Sequence, residues 1–544
     1  MRSIKLVLLL LPGLGLLAGE PAAKDLDRVL ARLAPGTKHE FVMMPLRDGV
    51  KLATDIFYPP SGDGPWPVVL LRTPYSRFDP RGLSGLGDTP GVLVCQNQRG
   101  RFGSEGTLPK EHFENEPDDD YDAIEWIAKQ KWCNGRVGTW GPSGHGVSSF
   151  NAIWSEAPHL KVVDVNVSGD CAWLHWFFSN GVRRDTYDWL SNRNQAVAEW
   201  PRPTVSAFDL ARRAAFVKER AARCKIAFRG KGGWFDIFNE AMLDAYAALA
   251  HNGRCTVAIS PAGHGQIGGF TFPSAPPLRG LPDFSFKQWL TEDESKAPGK
   301  SVLTYYLMGD GRKLNGPFGN VWKAAETWPV PSTPASYYLR AGGKLSTQAP
   351  DETDAVETYA YDPRKPCPTV GGHHFVGDKS GPLDQRALKE RKDILRFATE
   401  PLAEPVGITG KVRVELHVET DVPDTVFVAK LVDVYPDGYE ALIREAAFLA
   451  RFHGGFDKPA PLEKGKVYVL DMDLWSTALV FNPGHRIAVH VSSSSTPAYE
   501  VHPNTYEPVM TFDASPIANQ RIHVSSAHPS RLILPMIPKE SYAK

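Results

Sequence analysis

The sequence predicts an α/β protein: a doubly wound, mostly parallel sheet interrupted by a helical cap and followed by an all-β sandwich. Three observations carry this. As far as about residue 330, apolar runs of strand length alternate with helical patterns, as a parallel sheet covered on both faces requires. One stretch, 171–223, breaks the alternation with a Trp- and Arg-rich helical texture. Beyond residue 330, short strands separated by Gly, Pro, Asp or Asn turns take over. The predicted domains are a signal segment (1–19), a sheet domain in two parts (20–170 and 224–330), a cap (171–223) and a sandwich (331–544).

Composition sets the outer bounds. At roughly 150 residues per domain, the 544 residues suggest three to four units. Lys and Arg (61) nearly cancel Asp and Glu (62), so no global field draws in nucleic acid or an anionic membrane. Hydrophobic residues are 42% and charged residues 23%, which excludes wholesale disorder. Gly (48) and Pro (46) make up about 17% of the chain against an average of roughly 12%, an excess that suits many turns.

The first residues read as an address. Arg2 and Lys5 precede an apolar run over 6–17, and small residues follow at Ala18 and Gly19. This is the layout of a secretory signal, and the run is shorter than the roughly 20 residues that span a bilayer. Glu20 stands where a lipoprotein signal needs Cys, so no stable membrane anchor is expected. A short anchor that stays attached is the alternative. The expected location is secreted or periplasmic. Export permits disulfides, and Cys224 and Cys255 each open a strand-like run, but buried free thiols are the expectation for most of the six cysteines.

VKLATDIFYP (50–59) alternates as a strand should; PVVLLRTPY (67–75) and GVLVCQNQRG (91–100) are continuous apolar runs of the buried, parallel kind. EPDDDYDAIEWIAKQ (116–130) predicts a helix with an acidic start and Ala123, Ile124, Ile127 and Ala128 on one face. The run Asp118–Asp120 is expected to be a solvated helix start, not a metal site. RVGTWG (136–141) predicts a strand, followed by a small-residue turn and a helix through 148–155; LKVVDVNV (160–167) predicts another strand. After the cap the sheet resumes with CKIAFRG (224–230), a helix over 240–251 and the strand CTVAISP (255–261). DFSFKQWLTED (283–293) is helical in pattern and SVLTYYLMG (301–309) is strand-like. ASYYLRA, KVRVELHVET, FVAKLVDV, KVYVLDMDL and HRIAVHVSS are strands of the sandwich.

TWGPSGHGVSSF (139–150) is the most informative string. Ser143 falls between a predicted strand and a predicted helix, with Gly141, Gly144 and Gly146 around it. A nucleophile at such an elbow needs small neighbours because the turn is tight and strained. The elbow also aims backbone N–H groups at a developing oxyanion. The spacing departs from the common G-x-S-x-G, since Gly146 lies three residues after Ser143. A serine needs a base, and the base a carboxylate to fix its tautomer. In α/β-hydrolases the chain order is Ser, then Asp or Glu, then His. Asp236 in GKGGWFDIF and His264 in SPAGHG satisfy that order, each just after a predicted strand. His145 is too close in sequence to act as base on Ser143 and is expected to line the pocket.

The strings MPLRDGVKLATDIFYP, LLRTPY, QNQRGRFGSEG, NGRVGTWGPSGHG, GGWFD, GPLDQR, YDPRKPCPTVGG, PDTVFVAKLVDVYPDG and FNPGHRIAVHVSSSS make the chain resemble the cocaine esterase / Xaa-Pro dipeptidyl-peptidase family of serine hydrolases. The resemblance runs from about Phe41 to the last strands. It implies an α/β-hydrolase with a helical cap and a C-terminal jelly roll. It implies Ser143 as nucleophile, Asp236 as acid, His264 as base, and Tyr75 O–H with Gly144 N–H as the oxyanion hole. The family often has Tyr after the nucleophile; Gly144 here implies a wider site and a more flexible elbow. The amino-acid ester hydrolases of the family hold the substrate ammonium with a carboxylate cluster, and no Asp or Glu lies between Ser143 and Phe150.

The expected reaction is cleavage of a carboxylic ester or amide through an acyl-enzyme, with no metal or cofactor. The aromatic cap residues Trp173, Trp176 and Phe177, with His145, are candidates for an apolar pocket. The substrate is a small ester or amide or a short peptide; no nucleic acid is expected, and a homo-oligomer is compatible with the sequence. An Xaa-Pro dipeptidyl-peptidase is the first alternative. A non-catalytic binding protein on a degenerate hydrolase fold is the second.

Overall fold

The computed structural model describes residues 23–79, 82, 91–107, 116–169, 178–184, 216–312, 317–374, 380–506 and 512–542. The predicted signal segment (1–19) and most of the predicted cap (171–223) lie outside them. No helix among the described residues is long and apolar enough to cross a membrane. The chain divides into two compact units: residues up to Val163 with Phe286–Glu292, and Asp164–Ser285 with Asp293–Lys544.

After helix α1 (Ala23–Leu30), the first unit carries strands β1 (Lys38–Pro45), β2 (Lys51–Tyr58), β3 (Trp66–Thr73), β4 (Val92–Asn97), β5 (Cys133–Pro142) and the first half of β6 (Leu160–Asn166) in the order β1-β2-β4-β3-β5-β6. β3 pairs parallel with both β4 and β5, while β1, β2 and β4 pair antiparallel. Burial explains the apolar runs: every residue of β4 is buried, and so is every residue of β3 after Trp66. Helix α2 (Glu116–Ala128) buries Ala123, Ile124 and Ile127, as its pattern predicts. Its acidic start is not solvated, however. Only Asp118 is exposed; Asp119 and Asp120 are buried, Asp119 on Arg99 at 2.6 Å and Asp120 on Arg72. Arginines from β3 and from the turn after β4 reach down to the helix and take up the charge. Helix α3 (Ser143–Asn151) begins at the elbow serine itself, five residues earlier than the pattern suggests.

Of the cap, the second unit contains the hairpin β7 (Phe178–Ser179) and β8 (Val182–Arg183) and a helix, α4, over 216–223. Then come β9 (Ala227–Phe235), α5 (Asn239–Leu249), β10 (Cys255–Gly263), α6 (Phe286–Thr291, counted with the first unit), β11 (Val302–Leu307) and β12 (Val321–Ala325). β9, β10 and β11 are parallel neighbours and β12 closes antiparallel. The all-β part follows: β13 (Thr333–Arg340), β14 (Lys344–Ser346), β15 (Val356–Tyr361), β16 (Leu395–Ala398), β17 (Val406–Glu419), β18 (Val426–Val434), β19 (Glu440–Leu449), β20 (Tyr468–Phe481), β21 (Arg486–Ser492), β22 (Ala518–His523) and β23 (Arg531–Met536). Hydrogen bonds link these eleven strands in one sheet, with β20 branching from β17 and packing on β19. Alternate residues of β17, from Val412 to Val418, are fully buried, the period-two signature of one core-facing side. Cys95, Cys133, Cys224, Cys255 and Cys367 are free and buried.

Candidate active site

In the first unit the elbow is built from close approaches. Pro142 ends β5 in an extended conformation, and Ser143 has φ of 52°, a left-handed value that a non-glycine residue adopts only under constraint. A Cβ at residue 141 would lie 2.6 Å from the His145 carbonyl oxygen and 2.8 Å from the Gly146 nitrogen, so only glycine lets the strand turn into the helix here. Cross-bonds fix the turn: Thr139 Oγ1 donates to Ser149 O at 2.9 Å, and Ser149 Oγ to Trp140 O at 2.7 Å. The N–H of Gly144 belongs to the first turn of α3, where amides have no intrahelical acceptor and are available to an anion.

Tyr75 follows β3 and lies on the same elbow. A Cβ at residue 144 would stand 2.8 Å from Tyr75 Cζ and 2.9 Å from Cε2. The wider site expected from Gly144 is therefore not found at that point, because the Tyr75 ring fills the space. The side chain of His145 is 2% exposed, its ring set edge-on to Tyr75 at 4.9 Å and its Nε2 3.8 Å from Asp79 Oδ2. Trp173, Trp176 and Phe177 lie outside the described residues.

In the second unit Asp236 and His264 meet because of sheet register. Phe235 of β9 is the parallel partner of Gly263 of β10, so the next residue of each chain leaves the sheet side by side. A Cβ at Gly233 would fall on the Ala262 carbonyl, which is why this close pairing uses glycine. His264 Nδ1 lies 3.0 Å from Asp236 Oδ1, which also accepts the Phe238 N–H at 3.2 Å. Asp236 is fully buried, while the His264 side chain is 16% exposed, so the imidazole keeps an open edge.

Three elements to which sequence reasoning gave no role at the site brace this pair. Gly268 N–H donates to Ser380 O at 2.8 Å, and Gly381 (φ 103°) would place a Cβ 2.8 Å from Ile267 Cβ, so the GPLDQR string clamps the His264 loop. Arg444 of β19, fully buried, donates to the carbonyls of Trp234 and Ser476. Burial pushes its guanidinium down to about 9. Glu240, on α5 just after Asp236, accepts the Ser476 N–H at 2.9 Å and lies 3.1 Å from Lys411 Nζ. Burial lowers Lys411, but the charges of Glu240, Asp473 and Asp244 outweigh it and hold the ammonium above its usual range. The GPLDQR string stood out in the sequence; nothing there marked Arg444 or Ser476.

Comparison with known proteins gives this geometry its context. Residues 48–225 match the X-Pro dipeptidyl-peptidase (S15 family), and residues 300–533 match the X-Pro dipeptidyl-peptidase C-terminal non-catalytic domain. The chain is 29% identical to the cocaine esterase of Rhodococcus sp. (strain MB1 Bresler), over 92% of this chain and 98% of that protein. A solved α-amino acid ester hydrolase superposes with a TM-score of 0.72 at 27% identity, covering 92% of this chain and 97% of the other. An aminopeptidase from a marine sediment archaeon, Thaumarchaeota archaeon, shares the fold with a TM-score of 0.72 at 24% identity and the same coverage. The protein is a serine hydrolase, an α/β-hydrolase domain joined to a C-terminal all-β domain. It belongs to the cocaine esterase / X-Pro dipeptidyl-peptidase family.

Proposed function

We propose that this chain is an exported serine esterase or acylase that works through an acyl-enzyme on Ser143. In this reading His264 takes the Ser143 proton as Oγ attacks the carbonyl carbon. Asp236 holds the imidazole tautomer that presents a free nitrogen to the serine. Tyr75 O–H and Gly144 N–H stabilise the oxyanion. The protonated His264 then gives its proton to the leaving oxygen or nitrogen. Water, deprotonated in turn by His264, releases the acid. The observation that carries the reading is the elbow: Ser143 at φ 52°, at the start of α3, with Tyr75 packed on Gly144. The basic and apolar start of the sequence supports export.

The test is labelling with a fluorophosphonate probe. Wild-type protein should be labelled and Ser143→Ala should not; an unlabelled, folded wild type overturns the reading. A panel of p-nitrophenyl esters of graded acyl length, run beside Gly-Pro and Ala-Pro p-nitroanilides, separates esterase from dipeptidyl-peptidase. Release from the anilides alone would favour the dipeptidyl-peptidase.

A further inference from the structure

Four arginines stand around the Tyr75 loop, Arg72 on β3, Arg77 just after Tyr75, and Arg99 and Arg101 in the turn after β4, and one of them is unlike the rest. Arg72 pairs with Asp120, Arg77 with Asp55, and Arg99 with Asp119 at 2.6 Å and Asp48 at 2.9 Å. The Arg101 guanidinium has no carboxylate or hydrogen-bond acceptor among the described residues, and its Nε is buried. Burying a guanidinium edge without a counter-charge is costly, and a fold retains it only where something offsets the cost.

The turn holding Arg101 is laced to the candidate site. Gln98 N–H donates to Thr73 O at 3.1 Å, and Asn97 Nδ2 to Tyr75 O. Gln98 Nε2 donates to Ser148 Oγ in α3 at 2.6 Å. Arg77 Nη1 grips the carbonyl of Phe102 at 2.9 Å, and Phe102 itself has φ of 41°, a strained value for an aromatic residue. The guanidinium feels the Tyr75 phenol electrostatically, while burial pulls it below its usual range. Asp79, also on this side, lies against His145. A half-buried cation on a hydrogen-bonded turn, without a counter-charge among the described residues, therefore stands near the residue proposed to hold the oxyanion.

We propose that Arg101 is a specificity-determining residue that receives a carboxylate carried by the substrate. This rests on the reading of Ser143 and Tyr75 as the reacting site. The substrate class is an ester bearing a second, ionised carboxyl group, on either the acyl or the alcohol side. The guanidinium fork matches a carboxylate in geometry and charge. A substrate with a free α-ammonium meets a like charge at the same place, which sets this chain against dipeptide amides.

The test compares matched pairs of esters. On the acyl side the pair is p-nitrophenyl hydrogen glutarate and p-nitrophenyl valerate; on the alcohol side it is 4-acetoxybenzoate and phenyl acetate. The reading is the ratio of kcat/KM, anionic over neutral, at low salt. In at least one pair Arg101→Gln should lower that ratio about ten- to a hundredfold, the size expected for one charge-assisted contact. Arg101→Lys should keep part of the preference, and Arg101→Glu should fall below Arg101→Gln. A ratio unchanged in both pairs overturns the proposal. So does an equal loss for both members of each pair, which would mean that Arg101 acts only through Tyr75. Fluorophosphonate labelling of the wild type in parallel separates the two readings: an unlabelled wild type overturns the Ser143 site, whereas a labelled wild type with an unchanged ratio overturns Arg101 alone.

Discussion

Gly144 and Tyr75 occupy one space: a Cβ on the first would lie 2.8 Å from Cζ of the second. The glycine beside Ser143, the proposed nucleophile, is thus matched to the phenol that packs on it. Gly144→Ala keeps the backbone N–H but must displace the Tyr75 ring. It should lower kcat by about 10²–10³, the cost of losing one oxyanion donor. Tyr75→Phe should cost a similar amount, and the double variant little more than either. Fully additive losses would show that the two act independently.

The Asp236–His264 pair leads to a second expectation. Asp236 Oδ1 faces His264 Nδ1, and Asp236 Oδ2 has no hydrogen-bond partner among the described residues. Asp236→Asn has nearly the same shape, but its amide N–H can face Nδ1 only if the imidazole carries its proton on Nε2, where it cannot accept from a serine. A fall in kcat of about 10⁴ with unchanged thermal stability is expected. A loss of less than about tenfold would remove Asp236 from the role proposed for it.

The sequence made much of this legible, and the misses have physical causes. Asp236 and His264 stand out because each follows a strand in an alternating pattern, and chain order then links them to Ser143. The strand before Asp236 is longer than its pattern suggests: β9 runs to Phe235, but Gly230, Gly232 and Gly233 hide it. Those glycines serve close packing against Met242, Ile259 and the Ala262 carbonyl, which a single-strand pattern does not record. Asp119 and Asp120 look solvated because their arginine partners lie 20 and 48 residues away. The bracing of the acid by Arg444 depends on a partner 210 residues distant.

That bracing is testable as stability. Glu240 is fully buried and sits among Ser476, Lys411 and the charge field of Arg444. Glu240→Ala leaves the buried Arg444 guanidinium without its nearby carboxylate and the partly exposed Lys411 ammonium with Asp473, at 3.2 Å, as its remaining ion-pair partner. Chemical denaturation should show a loss of about 3 kcal/mol, the lower end for breaking a buried ion pair because Lys411 reaches solvent. Adding Lys411→Met should recover part of it. A change under about 0.5 kcal/mol would mean that the network contributes little to stability.

The all-β part carries a pH dependence whose sign follows from two buried histidines. Burial, with Arg396 and Lys430 nearby, pushes His490 down to about 3, although the Glu440 carboxylate stands 3.8 Å from its Nε2. Burial and the neighbouring Arg184, Arg444 and His374 hold His373 well below the ordinary histidine range. In the unfolded chain both titrate near 6.5. Between that value and their folded values the unfolded state binds more protons, so stability rises with pH through the window and falls on acidification below about 6.5. Each histidine contributes a slope of about 1.4 kcal/mol per pH unit there. Buried carboxylates titrate with the opposite sign in part of the window; Asp120, raised by burial to about 6, is one. The informative quantity is therefore a difference. Wild type and His490→Gln, unfolded in urea at pH 5.0, 5.5, 6.0, 6.5 and 7.5, should converge in stability toward low pH. The wild type should lose about 1 kcal/mol more than the variant between pH 6.5 and 5.5. Parallel curves would mean that His490 is not buried uncharged.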